Sequence, residues 1–121
     1  MLSLYIFIGG GLGSLSRYGT GLLLGSETRA LPLGTLLANI LGCLLLGYLV
    51  TSPFVSEKVS EPVRVGLATG FLGGFTTFST FSVESIKLFQ AGEFATVICY
   101  TSASVLGGLV AAYVGMRLAA G

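Results

Sequence analysis

Residues 70–81, with the sequence GFLGGFTTFSTF, contain side chains that can bind small ions without a fixed charge. Phe75, Phe78 and Phe81 recur at every third position, so on a helix they would lie along one slowly drifting side. An aromatic ring has a negative face and a positive edge, and rings held edge-on to a pathway favour a small anion. An uncharged site also binds weakly enough to release the ion, which fast conduction requires. Ordinary helix packing is the alternative explanation of the three rings.

The glycines and hydroxyl residues of the same run predict an interrupted helix. Gly70, Gly73 and Gly74 each weaken a helix by about 1 kcal/mol relative to Ala. The hydroxyls that follow can bond backbone groups that a break frees; they belong to Thr76, Thr77, Ser79 and Thr80. Inside a membrane, a break is tolerated only where it is buried in protein or lines a cavity. Its free carbonyl oxygens suit a hard cation such as Na⁺, which two antiparallel copies could share.

Polar residues in other apolar segments mark further candidate positions. Asn39 lies one turn after Thr35 on a shared face, and its amide can donate either to an anion or to a neighbouring helix. Tyr100 and Ser104 form a similar pair that donates through hydroxyls. Arg17 is either a snorkelling anchor or a positive charge at a vestibule that attracts anions.

The remaining polar residues do not form a catalytic or metal-chelating set. The chain has no His, and Glu84 lies three residues before Lys87, the spacing of an ordinary surface pair. Cys43 and Cys99 fall in apolar stretches, so we interpret both as small buried residues rather than a disulfide framework. The net charge of +1 argues against a nucleic-acid partner. We therefore do not expect an enzyme.

The composition requires a membrane as the environment of these residues. The chain has 121 residues, of which 53% are hydrophobic and 9% charged, with a mean hydropathy of +0.92. Soluble domains carry about 25% charged residues. We expect a single all-α integral membrane domain over 1–121, with the third of four transmembrane helices broken near its middle. The expected spans are 2–25, 31–52, 63–90 and 94–118.

The basic residues predict how the chain inserts. With four spans, Lys58, Arg64 and Arg117 lie on one side of the membrane, and the other side receives an equal number. These are Arg17, Arg29 and Lys87. Loop Lys and Arg residues set orientation, so a balanced count favours insertion both ways and an antiparallel, dual-topology homodimer. The alternative is that one residue outside this count decides a single orientation. Small residues at four-residue spacing, as in Gly34, Ala38 and Gly42, predict close packing of helices.

Three motifs together resemble the small fluoride channels, the Fluc or CrcB family. They are GGGLGSLSRY at 9–18, PLGTLLANILG at 32–42 and GFLGGFTTFSTFSVE at 70–84. The resemblance covers the whole chain and the order of its motifs. It implies passive fluoride efflux that protects a microbe from fluoride toxicity, through two antiparallel pores per dimer with a structural Na⁺ at the centre. The expected partners are fluoride, the lipid bilayer and a second copy of the chain. The expected location is the cell membrane, as a multi-pass protein, or the inner membrane in a Gram-negative organism.

The resemblance also implies roles for individual residues. Backbone carbonyls of Gly73 and Thr76 would hold Na⁺, and Arg17 would lie near the vestibule. The residues expected along the fluoride pore are Phe78, Phe81, Asn39, Thr35, Tyr100, Ser104, Ser79, Thr80 and Glu84. No pore role is carried onto Phe75. One departure is Gly108, where a second serine is expected one turn beyond Ser104.

Two other functions are open to a small membrane protein with close helix packing. The first is a small multidrug-type, proton-coupled exporter, but the expected first span contains no acidic residue that could carry the proton. The second is a non-conducting membrane scaffold. This function explains the small residues at helix contacts, but it gives no reason for a broken helix that is rich in Phe.

Overall fold

A computed structural model of the chain describes residues 1–24 and 31–121, and all regular elements in these ranges are helical. In chain order they are α1 (Leu2–Leu24), α2 (Leu33–Thr51), α3 (Pro53–Lys58), α4 (Glu61–Val65), a π-helical segment (Gly66–Leu72), α5 (Gly73–Phe75), α6 (Phe78–Gln90) and α7 (Phe94–Ala120). The prediction of an all-α chain is confirmed for these ranges. The turn expected at Glu27, Thr28 and Arg29, and the span end expected at Gly25, lie outside the described residues.

Two helices, α2 and α7, are long and apolar enough to cross a membrane. Only 22% of the apolar window of α2 and 11% of that of α7 is buried within the chain. The core helix of a soluble protein would be mostly buried, whereas these helices direct most of their apolar surface outward. An apolar surface of this extent is typical of contact with lipid or with another protein chain.

Helices α2 and α7 pack along one another through small residues. A Cβ atom at Gly47 would overlap the carbonyl oxygen of Ala112, and one at Gly115 would overlap that of Leu44. The two backbones are therefore in direct contact, as the four-residue spacing of small residues predicts. Ala38 of α2 and Tyr100 of α7 have no exposed surface.

Helix α1 packs in the same way along the π-helical segment and α5. Cβ atoms at Gly9 and Gly13 would overlap the carbonyl oxygens of Gly66 and Phe71, respectively. This contact holds the first helix against the glycine-rich half of the interrupted one. It therefore places the residues of α1 that follow Gly13 beside the interruption.

A short helix, α3, lies between the second and third expected spans, within the segment 53–62. Ser52 caps this helix by accepting a hydrogen bond from the Val55 N–H at 3.3 Å, and Pro53 occupies its first turn. A Ser-Pro pair is a recognised helix-start signal, because the hydroxyl satisfies a free N–H and proline lacks one. The sequence therefore contained the signal for α3.

Candidate functional site

The helical path stops at Phe75 and resumes at Phe78, inside the stretch expected to contain a break. Thr76 and Thr77 between them have extended backbones, with φ and ψ of −89° and 154° and of −152° and 123°. The Thr77 hydroxyl caps α6 by accepting a hydrogen bond from the Thr80 N–H at 3.2 Å. The interruption is therefore a defined two-residue link with its own cap.

Asn39 of α2 holds this link through both ends of its side-chain amide. Its Oδ1 accepts from the Thr77 N–H at 2.7 Å, and its Nδ2 donates to the Thr77 carbonyl oxygen at 2.9 Å. An amide nitrogen carries two N–H groups, so the second one is left for another acceptor. The side chain thus bonds the backbone of the interrupted helix and keeps a second N–H. Donation to a neighbouring helix and donation to an anion, the two alternatives that the sequence left open, are therefore compatible.

The hydrogen bonds at the link leave particular carbonyl oxygens without their helical donors. In a continuous helix, the Gly73 oxygen would accept from the Thr77 N–H and the Thr76 oxygen from the Thr80 N–H. Both N–H groups are diverted here, to Asn39 Oδ1 and to Thr77 Oγ1. Gly73 is exposed and Thr76 half-buried. The Gly73 and Thr76 carbonyls, which are expected to hold a cation, have thus both lost the N–H donors that a continuous helix would give them.

Arg17 of α1 supplies a donor to a third carbonyl of the interrupted helix. Its Nε–H donates to the Gly74 oxygen at 3.1 Å, and the contact is partly buried. Arg17 therefore points into the protein.

A cavity of about 330 Å³ opens beside the link, and none of its lining residues carries a formal charge. Expected site residues contribute much of the wall, and they are Asn39, Gly73, Thr76, Phe78, Phe81 and Ser104. The buried Ser104 hydroxyl has no hydrogen-bond partner among the described residues. A buried hydroxyl normally finds a partner, so this one is available to a bound ion or water.

The aromatic rings fall into two groups because of the interruption. Phe78 and Phe81 lie on α6 with ring centroids 5.8 Å apart, and Phe81 lies 5.1 Å from the Tyr100 ring. Phe75 is 7% exposed and stacks on Phe71 at 6.0 Å. The expectation that three rings share one helix side therefore applies only to Phe78 and Phe81, since Phe75 belongs to the preceding helical piece and packs in the core.

A second cavity of about 310 Å³ brings together Arg17, Thr35, Thr80 and Glu84. The Tyr100 hydroxyl donates to Glu84 Oε1 at 2.9 Å. Tyr100 thus contacts a residue of each cavity, Glu84 in the second and Phe81 in the first. Glu84 therefore accepts a hydrogen bond from a residue of another helix, Tyr100 of α7, an interaction that an ordinary surface pair with Lys87 does not predict.

The remaining candidates, Ser79, Gly108 and the two cysteines, differ in whether they lie at a cavity wall. Ser79 is exposed, and its hydroxyl lies 3.3 Å from that of Thr77 rather than in either cavity wall. A Cβ at Gly108 would lie 3.4 Å from the Cys43 sulfur. The Cys43 thiol therefore lies next to position 108, where the resemblance implies a second serine. Cys43 also lines the first cavity. Cys99 is exposed, so its interpretation as a buried residue was wrong.

Sequence reasoning missed two participants, the Gly74 carbonyl and the backbone of Thr77. Both interact with side chains that are far away in the sequence, Arg17 and Asn39. The only local signal was Thr77 itself, a favourable capping residue three positions before Thr80.

Comparison with known proteins finds a family-model match over residues 4–116, to the family described as CrcB-like protein, Camphor Resistance (CrcB). A Francisella tularensis protein named fluoride-specific ion channel FluC is 42% identical over 125 residues, covering 100% of this chain and 96% of that protein. A Chloroflexus aurantiacus protein of the same name is 46% identical over 116 residues, covering 95% and 92%. A third, from Stutzerimonas stutzeri, is 41% identical over 112 residues, covering 92% and 90%.

Proposed function

Because this chain belongs to the CrcB-like family, we propose that it is a fluoride-selective channel that lets fluoride leave the cell passively. Its relatives at 41% to 46% identity are named fluoride-specific ion channels, and the matches span nearly the full length of each protein. Passive efflux down the electrochemical gradient would lower the internal fluoride concentration and so reduce its toxicity.

The uncharged cavity beside the helix interruption is the observation that carries this proposal. Its wall combines two aromatic rings, an amide and the Ser104 hydroxyl, which has no hydrogen-bond partner in the part of the chain that the structure describes. A small anion can exchange part of its hydration shell for ring edges and O–H or N–H donors of this kind. Because no fixed positive charge lines the cavity, the ion is not trapped there.

We assign the two cavities to successive parts of the fluoride pathway. Arg17 in the second cavity would attract the anion, and Thr35, Thr80 and Glu84 would line its way inward. Asn39, Phe78, Phe81 and Ser104 would line the neutral part. Tyr100, which contacts both Glu84 and Phe81, would lie where the two parts meet. Ser79 is the least supported member of the expected pore, because it lines neither cavity.

We also propose that the working unit is an antiparallel, dual-topology homodimer in the cell membrane, with two pores. Four spans would be formed by α1, by α2, by the interrupted helix from α4 to α6, and by α7. Helix α1 has 23 residues and is long enough to cross a bilayer. The exposure of Phe78, at 77%, leaves the ring open to contact with a second copy.

The residues present fit a structural Na⁺ shared between the two copies. The Gly73 and Thr76 oxygens have lost their helical donors and lie on a face that the chain does not fully bury. Carbonyl oxygens are hard ligands, which suit Na⁺. When bound, Na⁺ would supply positive charge that joins two interrupted helices. The carbonyls of each chain would supply half of its ligands.

The exporter and scaffold alternatives are less well supported. The described part of α1 contains no Asp or Glu, so it offers no acid for proton coupling there. A scaffold needs close helix packing but has no use for a neutral cavity with an unpartnered hydroxyl.

Ion release from liposomes tests the proposed function. Purified protein is reconstituted into liposomes loaded with potassium fluoride, and a potassium ionophore is added to remove the opposing voltage. We expect rapid fluoride release and no chloride release from matched chloride-loaded liposomes. Absence of fluoride release would favour the scaffold, and release that requires a proton gradient would favour the exporter.

A further inference from the structure

We infer that Arg17 is a positioning residue for the proposed Na⁺ site, in addition to its place beside the vestibule. The inference rests on the proposed function, because that function supplies the Na⁺ site. Arg17 Nε donates to the Gly74 carbonyl at 3.1 Å. Gly73, the preceding residue, provides one of the two carbonyls assigned to the cation. Arg17 thus fixes the peptide next to a proposed ligand and does not itself contact the ion.

The acceptor of this hydrogen bond needs a donor from outside its own helix. In a continuous helix the Gly74 oxygen would accept from the Phe78 N–H, but α5 ends at Phe75. The last carbonyls of a helix carry partial negative charge, so a cationic side chain is favourable beside them. A hydrogen bond from a charged donor is also stronger than one from a neutral donor. Arg17 therefore stabilises the end of α5 in its interrupted form.

Close backbone packing explains why Arg17 reaches this carbonyl. A Cβ at Gly74 would lie 2.6 Å from the Gly10 oxygen and 3.2 Å from the Ser14 nitrogen. The backbones of α1 and α5 are therefore in contact one turn before Arg17. The packing of α1 against α5 therefore places the Arg17 guanidinium beside the C-terminal end of α5.

The two glycines of α5 leave its backbone less restrained than other residues would. Gly73 and Gly74 are adjacent, and glycine has more backbone freedom than any other residue. Asn39 holds the far side of the interruption at Thr77, whereas Arg17 holds the near side at Gly74. Without Arg17 the Gly73 carbonyl would be less well oriented for a cation.

Electrostatics alone predicts the opposite effect, which makes the inference testable. A guanidinium repels a nearby cation, so removal of its charge should strengthen Na⁺ binding if charge were the only factor. If Arg17 instead orients the ligand peptide, its removal should weaken Na⁺ binding. The direction of the change therefore separates a positioning role from that of a vestibule charge.

The experiment measures the dependence of dimer formation on Na⁺. Purified protein in detergent is diluted into buffers in which N-methyl-D-glucamine replaces Na⁺ at constant ionic strength, and the dimer fraction is measured by size-exclusion chromatography. For Arg17→Ala, we expect the Na⁺ concentration at half dissociation to rise roughly tenfold or more. For Arg17→Lys, the rise should be smaller, since an ammonium keeps a donor but loses the fixed guanidinium geometry.

Arg117→Lys is the matched control, because Arg117 bonds Tyr113 within its own helix, α7, and the substitution keeps the balance of Lys and Arg residues. Its Na⁺ midpoint should equal that of the unmodified protein. An unchanged or lower midpoint in Arg17→Ala would overturn the inference while leaving the channel proposal intact. If Arg17→Ala does not fold, Arg17→Lys decides by the same criterion. A parent dimer that ignores Na⁺ would contradict the cation site and the inference with it, and fluoride release from the parent protein tests the channel separately.

Discussion

At the scale of single residues, Asn39 links the helix interruption to the proposed pathway. One carboxamide replaces the neighbouring peptide groups that Thr77 would bond in a continuous helix. Asn39 also lines the cavity whose wall includes Phe78 and Phe81. The same side chain therefore shapes the backbone and supplies a donor, so its removal should affect stability and conduction together.

Replacement of Asn39 by Ala tests this combined role. The change leaves the Thr77 N–H and carbonyl without their partners, which should lower the free energy of unfolding by roughly 1–3 kcal/mol. Fluoride release should fall strongly, and Asn39→Asp should also impair it, because a carboxylate repels the anion. Unfolding in a detergent mixture and liposome release measure the two effects. Thr20→Ala is the control, since the Thr20 hydroxyl donates to the Ser16 carbonyl of its own helix. Parent-like release in both Asn39 variants would return this residue to a purely structural role.

Phe78 provides a test of the ring edge. Phe78→Ile keeps an apolar side chain but removes the aromatic edge, so we expect fluoride release to be abolished while the dimer persists. The fold should tolerate the change because the ring is 77% exposed in the single chain. Phe89→Ile on the same helix, which pairs with Phe94 away from the cavity, should release fluoride normally. Full release by Phe78→Ile would exclude the ring-edge explanation.

Residue types at the candidate site could be predicted from the sequence, but their pairings could not. The run of glycines and hydroxyls indicated an interruption, and Asn39 and Arg17 were visible as costly polar residues in apolar segments. Their acceptors lie 38 and 57 residues away in the chain. Such contacts depend on how the helices pack, which no local pattern specifies.

At the scale of elements, α1 is in direct backbone contact with the π-helical segment and with α5, the two pieces that precede the interruption. The four-residue spacing of small residues predicted close helix contacts, and the Gly13 contact with Phe71 confirms one. The π-helical turns of Gly66–Leu72 were not predicted. Sequence periodicity does not separate π-helical from α-helical turns here, because a run of 7 residues completes fewer than two turns of either helix.

Gly13→Ala tests this packing, with Gly11→Ala as its matched control on α1. A Cβ at Gly13 would overlap the Phe71 carbonyl and lie 2.9 Å from the Phe75 nitrogen, whereas one at Gly11 meets nothing within 4 Å. Gly13→Ala should therefore lower the free energy of unfolding by about 1–3 kcal/mol. Gly11→Ala should be neutral or slightly stabilising, since Ala favours a helix. Equal stability of the two variants in detergent-induced unfolding would contradict the close backbone contact.

At the scale of the whole molecule, the chain lacks a large core of its own. Tyr100 is the largest fully buried side chain among the described residues, and the rings of Phe7 and Phe78 are 78% and 77% exposed. The composition had already indicated a lipid environment. It could not indicate which apolar face contacts lipid and which contacts another copy, because both surroundings favour the same side chains.

The balance of Lys and Arg residues gives a test of the proposed antiparallel dimer. Glu57 and Glu93 are exposed and lie in connections on opposite sides of the proposed four spans. Glu57→Lys and Glu93→Lys should each bias insertion towards one orientation, and the two orientations should be opposite. Reporter fusions at the C-terminus should then give a signal mainly from one side, and each variant alone should release little fluoride because antiparallel partners are scarce.

Restoring the balance should restore the channel. Cells that express both single variants should regain fluoride release, and so should the double variant, in which each side of the membrane has gained one Lys. The rescue separates a topology effect from damage to the pathway, since the double variant carries both substitutions in every chain. If the single variants conduct normally while their reporters show one orientation, parallel or single-orientation assembly replaces the antiparallel dimer. If the double variant fails as the single variants do, the lost glutamates rather than orientation explain the defect.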